Sequence, residues 1–165
     1  MFKGLTPSEC AYLAGNYRGA NFGCLIDYAV EVQGDRTVGT PPEYVLIAMA
    51  AFGDRVSAIL NCLQAASAKP NSVVPEEQKL LHLVVFAAEI HEEFLRIHPY
   101  ANGNGHMGRL IVWCLLGVFG YWPKSWPLDD RPEPQNEYGQ CLMAYRAGSK
   151  EPLIQFMLKR IVGDS

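Results

Sequence analysis

His98-Pro99-Tyr100-Ala101-Asn102-Gly103-Asn104-Gly105-His106-Met107-Gly108-Arg109 is a polar, glycine-rich stretch set between two apolar segments. Upstream, Leu80 to Ala88 is apolar almost all round, within a segment running to about Ile97. That pattern marks a helix buried on most of its sides. Downstream, about Met107 to Phe119 is again nearly all apolar, and a second buried helix is expected there. A loop from His98 to Gly105 would join the two. Its amides and imidazoles need hydrogen-bond partners, and a loop that reaches a cleft supplies them. Chemistry is therefore sought at this loop first.

Its residue types suit phosphate. Gly103 and Gly105 allow positive φ and close approach of backbone N–H groups to a ligand. The N–H groups of Gly103, Asn104, Gly105 and His106 would open the following helix, where an anion is favoured. Arg109, one turn further on, can fork onto a second phosphate. His98 stands at the other end of the loop, and an imidazole can deprotonate a hydroxyl near neutral pH. A base, a phosphate nest and a guanidinium clamp are what phosphoryl or nucleotidyl transfer requires, because such catalysis is mostly positioning and charge stabilisation. All four histidines (His82, His91, His98, His106) lie close in sequence, but no HExxH and no neighbouring cysteine accompanies them. His91 reads as a hydrogen-bonded structural residue and His82 as a partly buried one.

Outward from the loop, helix signals dominate. Thr6-Pro7-Ser8-Glu9 is a start signal for a helix to about Tyr17, and 22–33 has weak helical spacing. Thr40-Pro41-Pro42-Glu43 opens a helix with apolar positions Val45, Ile47, Ala48, Met49, Phe52, Val56, Ile59, Leu60 and Leu63. Lys69 to Pro75 is a break in which Ser72-Val73-Val74 suggests a short flap hairpin, and Pro75-Glu76-Glu77 opens the next helix. After a proline-rich loop from Gly120 to Pro134, helices are expected at about 135–147 and 151–162. Trp113, Trp122 and Trp126 read as packing residues, and Asp129-Asp130-Arg131 as a solvated loop. The expected fold is a compact, all-α, single-domain bundle over 1–165.

The chain has 165 residues, 49% apolar and 19% charged, with a formal net charge of -3. No Lys/Arg-rich run is present, so no nucleic-acid partner is expected. The longest apolar run, Leu110 to Phe119, is too short to span a bilayer, and the start has no apolar leader, so no membrane partner is expected either. Five scattered cysteines without paired spacing point to a reducing, cytoplasmic setting. Three or more of them lie in apolar helical stretches, as small hydrophobes.

The loop also resembles a known family. His98, Pro99, Gly103, Asn104, Gly105 and Arg109 match the HPFx[D/E]GNGRxxR pattern of Fic-domain proteins, with Tyr100 in place of Phe, and His91 to Ile97 resembles the family's HxxFxxI approach. The likeness extends over about 40–162, to the tail from Pro152 to Ile161. The resemblance implies a Fic-type helical fold and AMP transfer from ATP to a Ser, Thr or Tyr hydroxyl of a target protein. It implies His98 as the base, Gly103, Asn104 and Gly105 as the anion hole, Arg109 on a terminal phosphate, and Lys69 to Pro75 as a flap that docks the target. Tyr138 falls where relatives place an aromatic beside the nucleobase, and a packing role fits it equally.

Two positions depart from the pattern. Asn102 replaces the acidic ligand of Mg²⁺ with a neutral amide oxygen, and His106 replaces the first arginine. The alternatives left open are a Fic fold that binds nucleotide or a partner protein without turnover, and transfer of another phosphate-linked group such as phosphate, UMP or phosphocholine. Ser72-Val73-Val74-Pro75-Glu76 is a poor match to the family's inhibitory helix, so inhibition is expected from another chain or from homo-oligomerisation.

Overall fold

The computed structural model describes residues 8–30, 38–126 and 136–163. Among these, five α-helices form the frame: α1 (Pro42–Ser67), α2 (Glu76–Ile97), α3 (Asn104–Val118), α4 (Glu137–Arg146) and α5 (Glu151–Val162). The fold is all-α, as the helical spacing predicts. The start signals hold for a physical reason: glutamates occupy the first turns of α1, α2, α4 and α5, at the positive end of each helix dipole. Asn136 also caps α4, its side chain accepting from the Gly139 N–H at 2.8 Å.

The chain divides into two compact units, Met1–Asp54 with Glu93–Asn104, and Arg55–Glu92 with Gly105–Ser165. The first has an aromatic centre. Phe94 packs between Phe52 (ring centroids 5.8 Å apart) and Tyr100 (6.5 Å), and Tyr17 lies against Tyr100 at 5.2 Å. The second buries Leu83, Val84, Ala87, Ala88 and Ile90 of α2, Val112, Leu115 and Leu116 of α3, and an apolar stripe of α5 that includes Leu153, Phe156 and Met157. In that unit α4 packs on α5, and Glu137 at the start of α4 pairs with Arg160 of α5 at 3.2 Å.

Several expectations need correction. The N-terminal helix is a short 3₁₀ stretch, Ser8–Leu13, interrupted at Cys10, and it stops before Gly15 with φ +83°. Thr6 and Pro7 of its start signal lie outside the described residues, as do Asp129-Asp130-Arg131. In place of a helix over 22–33 there is a single 3₁₀ turn, Gly23–Leu25, because Phe22 is extended and Gly23 takes φ +47°; 31–33 lie outside the described residues. No strand forms at Lys69 to Pro75. The Pro70 carbonyl takes both the Val73 and Val74 N–H groups, which winds the segment into a turn, and Lys79 Nζ clasps it through Lys69 O (2.7 Å) and Asn71 Oδ1 (2.9 Å).

Helix α1 also differs from its expected face. Of the apolar positions expected to face the core, Val45, Phe52, Ile59 and Leu63 are buried, a narrow stripe, while Ile47 faces solvent. By length and composition α1 could cross a bilayer, and little of its apolar window is buried. Counting unbroken apolar runs overlooks it, because Gly53-Asp54-Arg55 interrupts the run without interrupting the helix. Cys62 and Cys114 are exposed and Cys141 alone is buried among the cysteines, so helical context did not bury them. His82 is likewise exposed, on the outer face of α2.

Two glycines separate backbone strain from crowding. Gly15 (φ +83°) has open space where a Cβ would go, whereas a Cβ on Gly19 (φ +81°) would collide with the Pro42 carbonyl. Gly15→Ala should cost about 1 kcal/mol through φ alone. Gly19→Ala should cost about 2 kcal/mol more, because backbone must also move. Urea unfolding of both variants checks this, and equal losses would show that the Gly19 contact relaxes freely.

Candidate active site

In the first unit the site begins where α2 ends. The last four carbonyls of a helix have no partner within it. Here each finds one: Phe94 O accepts from the His98 N–H (3.0 Å), Leu95 O from His98 Nδ1 (3.3 Å), Arg96 O from the Gly39 N–H (2.9 Å) and Ile97 O from the Thr40 N–H (3.2 Å). His98, the first residue past the helix, has φ +53°, and it is the one non-glycine with positive φ among the described residues. A side chain there costs about 1–2 kcal/mol, so the surroundings must hold it. Since Leu95 O can only accept, Nδ1 carries the ring proton and the lone pair is on Nε2. That is the tautomer a general base uses.

The side chain of Arg18, which the sequence reading did not single out, is what holds this turn. It is 1% exposed. Nε donates to His98 O (2.7 Å), Nη2 to Ile97 O (3.0 Å) and Thr40 O (2.9 Å), and Nη1 to Tyr28 O (3.0 Å). Its backbone N–H donates to Pro99 O at 2.8 Å. Burial pulls its pKa down from the usual arginine value, yet arginine stays charged. The only signal in the sequence is a cation between Gly15 and Gly19, which looks like a surface residue until its burial is known.

The loop beyond is closed by Asn104, 1% exposed. Its Oδ1 accepts from the Tyr100 N–H (2.9 Å) and its Nδ2 donates to Tyr100 O (2.7 Å). The Asn104 side chain therefore shapes the loop, and its backbone N–H opens α3. Gly103 takes φ +81°, as expected, but Gly105 does not: α3 starts at Asn104, so Gly105 is already helical. The loop is 98–103, shorter than expected, because the Asn104 side chain closes it early. Asn102 is exposed, and its Oδ1 accepts from the Gly103 N–H at 2.7 Å.

In the second unit, Gly105 serves a different purpose from the one expected. A Cβ there would lie 3.2 Å from Nη1 of Arg109, so its absence makes room for that guanidinium. Arg109 is 3% exposed. Its backbone carbonyl accepts from Trp126 Nε1 at 2.9 Å. Its side chain donates to the Tyr138 hydroxyl, and Tyr138 in turn meets His91 Nε2 at 2.6 Å. Burial pushes Tyr138 up to about 12, against the lowering pull of Arg109 and Arg146. Burial drives His91 down to about 4, and Arg109 and Arg146 act in the same direction. The His91 ring is thus neutral, and Nε2 accepts the Tyr138 O–H. Among the described residues its Nδ1 makes no well-formed hydrogen bond, and the nearby Gly108 backbone raises the ring's pKa against the pull of burial.

Tyr138 is 7% exposed and packs edge-on to Trp126 (6.4 Å) and against Phe156 (5.9 Å), so its packing role is real. It also lines a cavity of about 370 Å³ with Trp126, Asn136 and Phe156. His106 is half-buried in the first turn of α3. Among the described residues no three His, Cys, Asp or Glu side chains come together. The loop offers Mg²⁺ one neutral amide oxygen, already engaged by Gly103, which is a poor protein site for a hard dication.

The sequence pattern of the Fic/DOC family matches residues 25–116, more than half of the chain. Proteins named "Protein adenylyltransferase Fic" are similar over 82 residues: 34% identical in Drosophila yakuba, 33% in Drosophila mojavensis and 32% in Culex quinquefasciatus. Each match covers 50% of this chain and 16% of the relative, so the chain spans a small part of those proteins.

The buried His91 gives the fold an acid sensitivity with a defined sign. Between the ordinary 6.5 and about 4, the unfolded chain takes up a proton at this residue and the folded chain does not. Stability should therefore fall as pH drops through that window, by on the order of 3 kcal/mol once it is crossed. His91→Gln keeps an acceptor for Tyr138 and should flatten the fall. Urea unfolding of both proteins at pH 7 and 4.5 compares them, and equal losses would show that His91 titrates normally.

Proposed function

We propose, since the chain belongs to the Fic/DOC family, that it is a protein adenylyltransferase, moving AMP from ATP to a Ser, Thr or Tyr hydroxyl of a target protein. The observation that carries this reading is His98, held at φ +53° with its proton on Nδ1. Its Nε2 takes the hydroxyl proton, the hydroxyl oxygen attacks the α-phosphorus, and pyrophosphate leaves. The N–H groups of Asn104, Gly105 and His106 are assigned to the phosphates, because first-turn N–H groups lack helical acceptors; Gly103 joins them in this reading once its N–H leaves Asn102 Oδ1. Arg109 is assigned to an outer phosphate and Tyr138 to the rim of the nucleobase site. Mg²⁺ enters, in this reading, on the triphosphate, with Asn102 as its one candidate protein ligand. The free cysteines suit a cytoplasmic setting, and regulation falls to a second chain or a second copy.

Incubation with α-labelled ATP and Mg²⁺ tests the reading, with self-modification as the signal. His98→Ala should lower transfer by about 10²–10⁴-fold and leave ATP binding intact, because the base acts on the acceptor. Undiminished labelling in that variant would remove His98 from the mechanism.

A second reading, nucleotide or partner binding without turnover, is favoured by the burial of Arg109 and by Asn102 and His106 standing in place of an acidic residue and an arginine. Arg109→Ala separates the two. If the guanidinium reaches an outer phosphate, ATP should bind about 10–100-fold more weakly and AMP nearly unchanged, since a charged hydrogen bond contributes about 1.5–3 kcal/mol. Equal losses for both nucleotides would make Arg109 structural.

A further inference from the structure

A buried cation is expensive to hold, and among the described residues the Arg18 guanidinium is met by backbone carbonyls rather than by a carboxylate. Capping the negative end of α2 offsets part of the cost, but a cap needs only the terminal carbonyls. Arg18 goes further. It binds the oxygens of Ile97, His98 and Pro99, three residues in succession. The peptide plane before a Cα fixes φ and the plane after it fixes ψ. Holding the Ile97 and His98 oxygens therefore fixes both torsions of His98. Those torsions decide where its Cα–Cβ bond points, and so whether Nδ1 meets Leu95 O at 3.3 Å. The other two bonds, to Tyr28 and Thr40, anchor the guanidinium to separate parts of the same unit, so it cannot drift with the loop.

We propose that Arg18 is a positioning residue for His98, locking its left-handed backbone and its Nδ1–H tautomer so that Nε2 is presented as the base. The proposal rests on the reading of His98 as that base, but its test does not depend on turnover. Arg18→Lys keeps a buried positive charge at the end of α2 and loses the planar fork that spans the separate carbonyls. A residue that merely capped the helix would be largely replaced by lysine; one that orients His98 would not.

The experiment uses the full chain labelled with ¹⁵N, reading imidazole tautomers by long-range ¹H–¹⁵N spectra and assigning His98 by comparison with His98→Gln. The wild type should show His98 as Nδ1–H. In a folded Arg18→Lys protein, that signal should give way to a tautomer mixture, and transfer kcat should fall by roughly tenfold to a hundredfold with KM for ATP within about twofold. If Arg18→Lys does not fold, Arg18→Gln, which removes the buried charge and keeps amide donors, is read in the same way. A folded variant with an unchanged tautomer and unchanged kcat overturns the proposal, as does a wild-type His98 that is not Nδ1–H. A tautomer shift in a protein that transfers nothing upholds the hold of Arg18 on His98 and sinks the transfer reading alone.

Discussion

The carbonyl oxygens at the end of α2 are the constraint on which the first unit depends. A helix that stops abruptly leaves four acceptors exposed, and here it stops in a residue, His98, whose left-handed backbone resists being there. Both difficulties have one solution. Arg18 brings a fixed fork of donors to the Ile97 and His98 oxygens, and its own N–H to Pro99. The Gly39 and Thr40 N–H groups meet Arg96 and Ile97, and the N–H and ring of His98 itself meet Phe94 and Leu95. With Asn104 closing the Tyr100 peptide from the other side, every carbonyl from Phe94 to Tyr100 has a donor.

The second unit solves a comparable problem with side chains. Arg109 is a buried charge on an otherwise apolar helix, and its neighbours are chosen to tolerate it. Gly105 leaves space, the Tyr138 hydroxyl accepts from it and donates in turn to His91 Nε2, which can accept because burial keeps that imidazole neutral. Low dielectric strengthens each of these bonds and also raises the penalty for losing one. His91 and Tyr138, far apart in sequence, thus act as one support for the guanidinium, and Trp126 fixes the helix backbone at the same residue.

The sequence by itself determined a good deal. Helical periodicity and start signals placed α1, α2, α4 and α5 to within a few residues, because capping chemistry and dipole charges are local. The motif His98 to Arg109 could be located because its residue types are improbable between two apolar helices. It also identified Gly103 as a positive-φ position and His91 as a hydrogen-bonded structural residue. Local patterns failed where backbone and neighbours compete. Gly105 read as a loop glycine and is a helical one that makes room for Arg109, and Asn104 read as an anion ligand while its side chain staples Tyr100. Ser72-Val73-Val74 read as a strand and is wound up by the Pro70 carbonyl.

Only the tertiary structure decided the role of Arg18, since its partners lie as far as 80 residues away and a lone arginine between glycines carries no local mark of burial. It also decided which side of α1 is covered: the helix is apolar on most of its circumference, and the stripe through Val45, Phe52, Ile59 and Leu63 is the buried part of it. The same holds for the histidines. Composition cannot tell His82, exposed on α2, from His91, buried with its pKa driven down to about 4, because the difference is desolvation, and desolvation is a property of what surrounds a residue once the chain has folded.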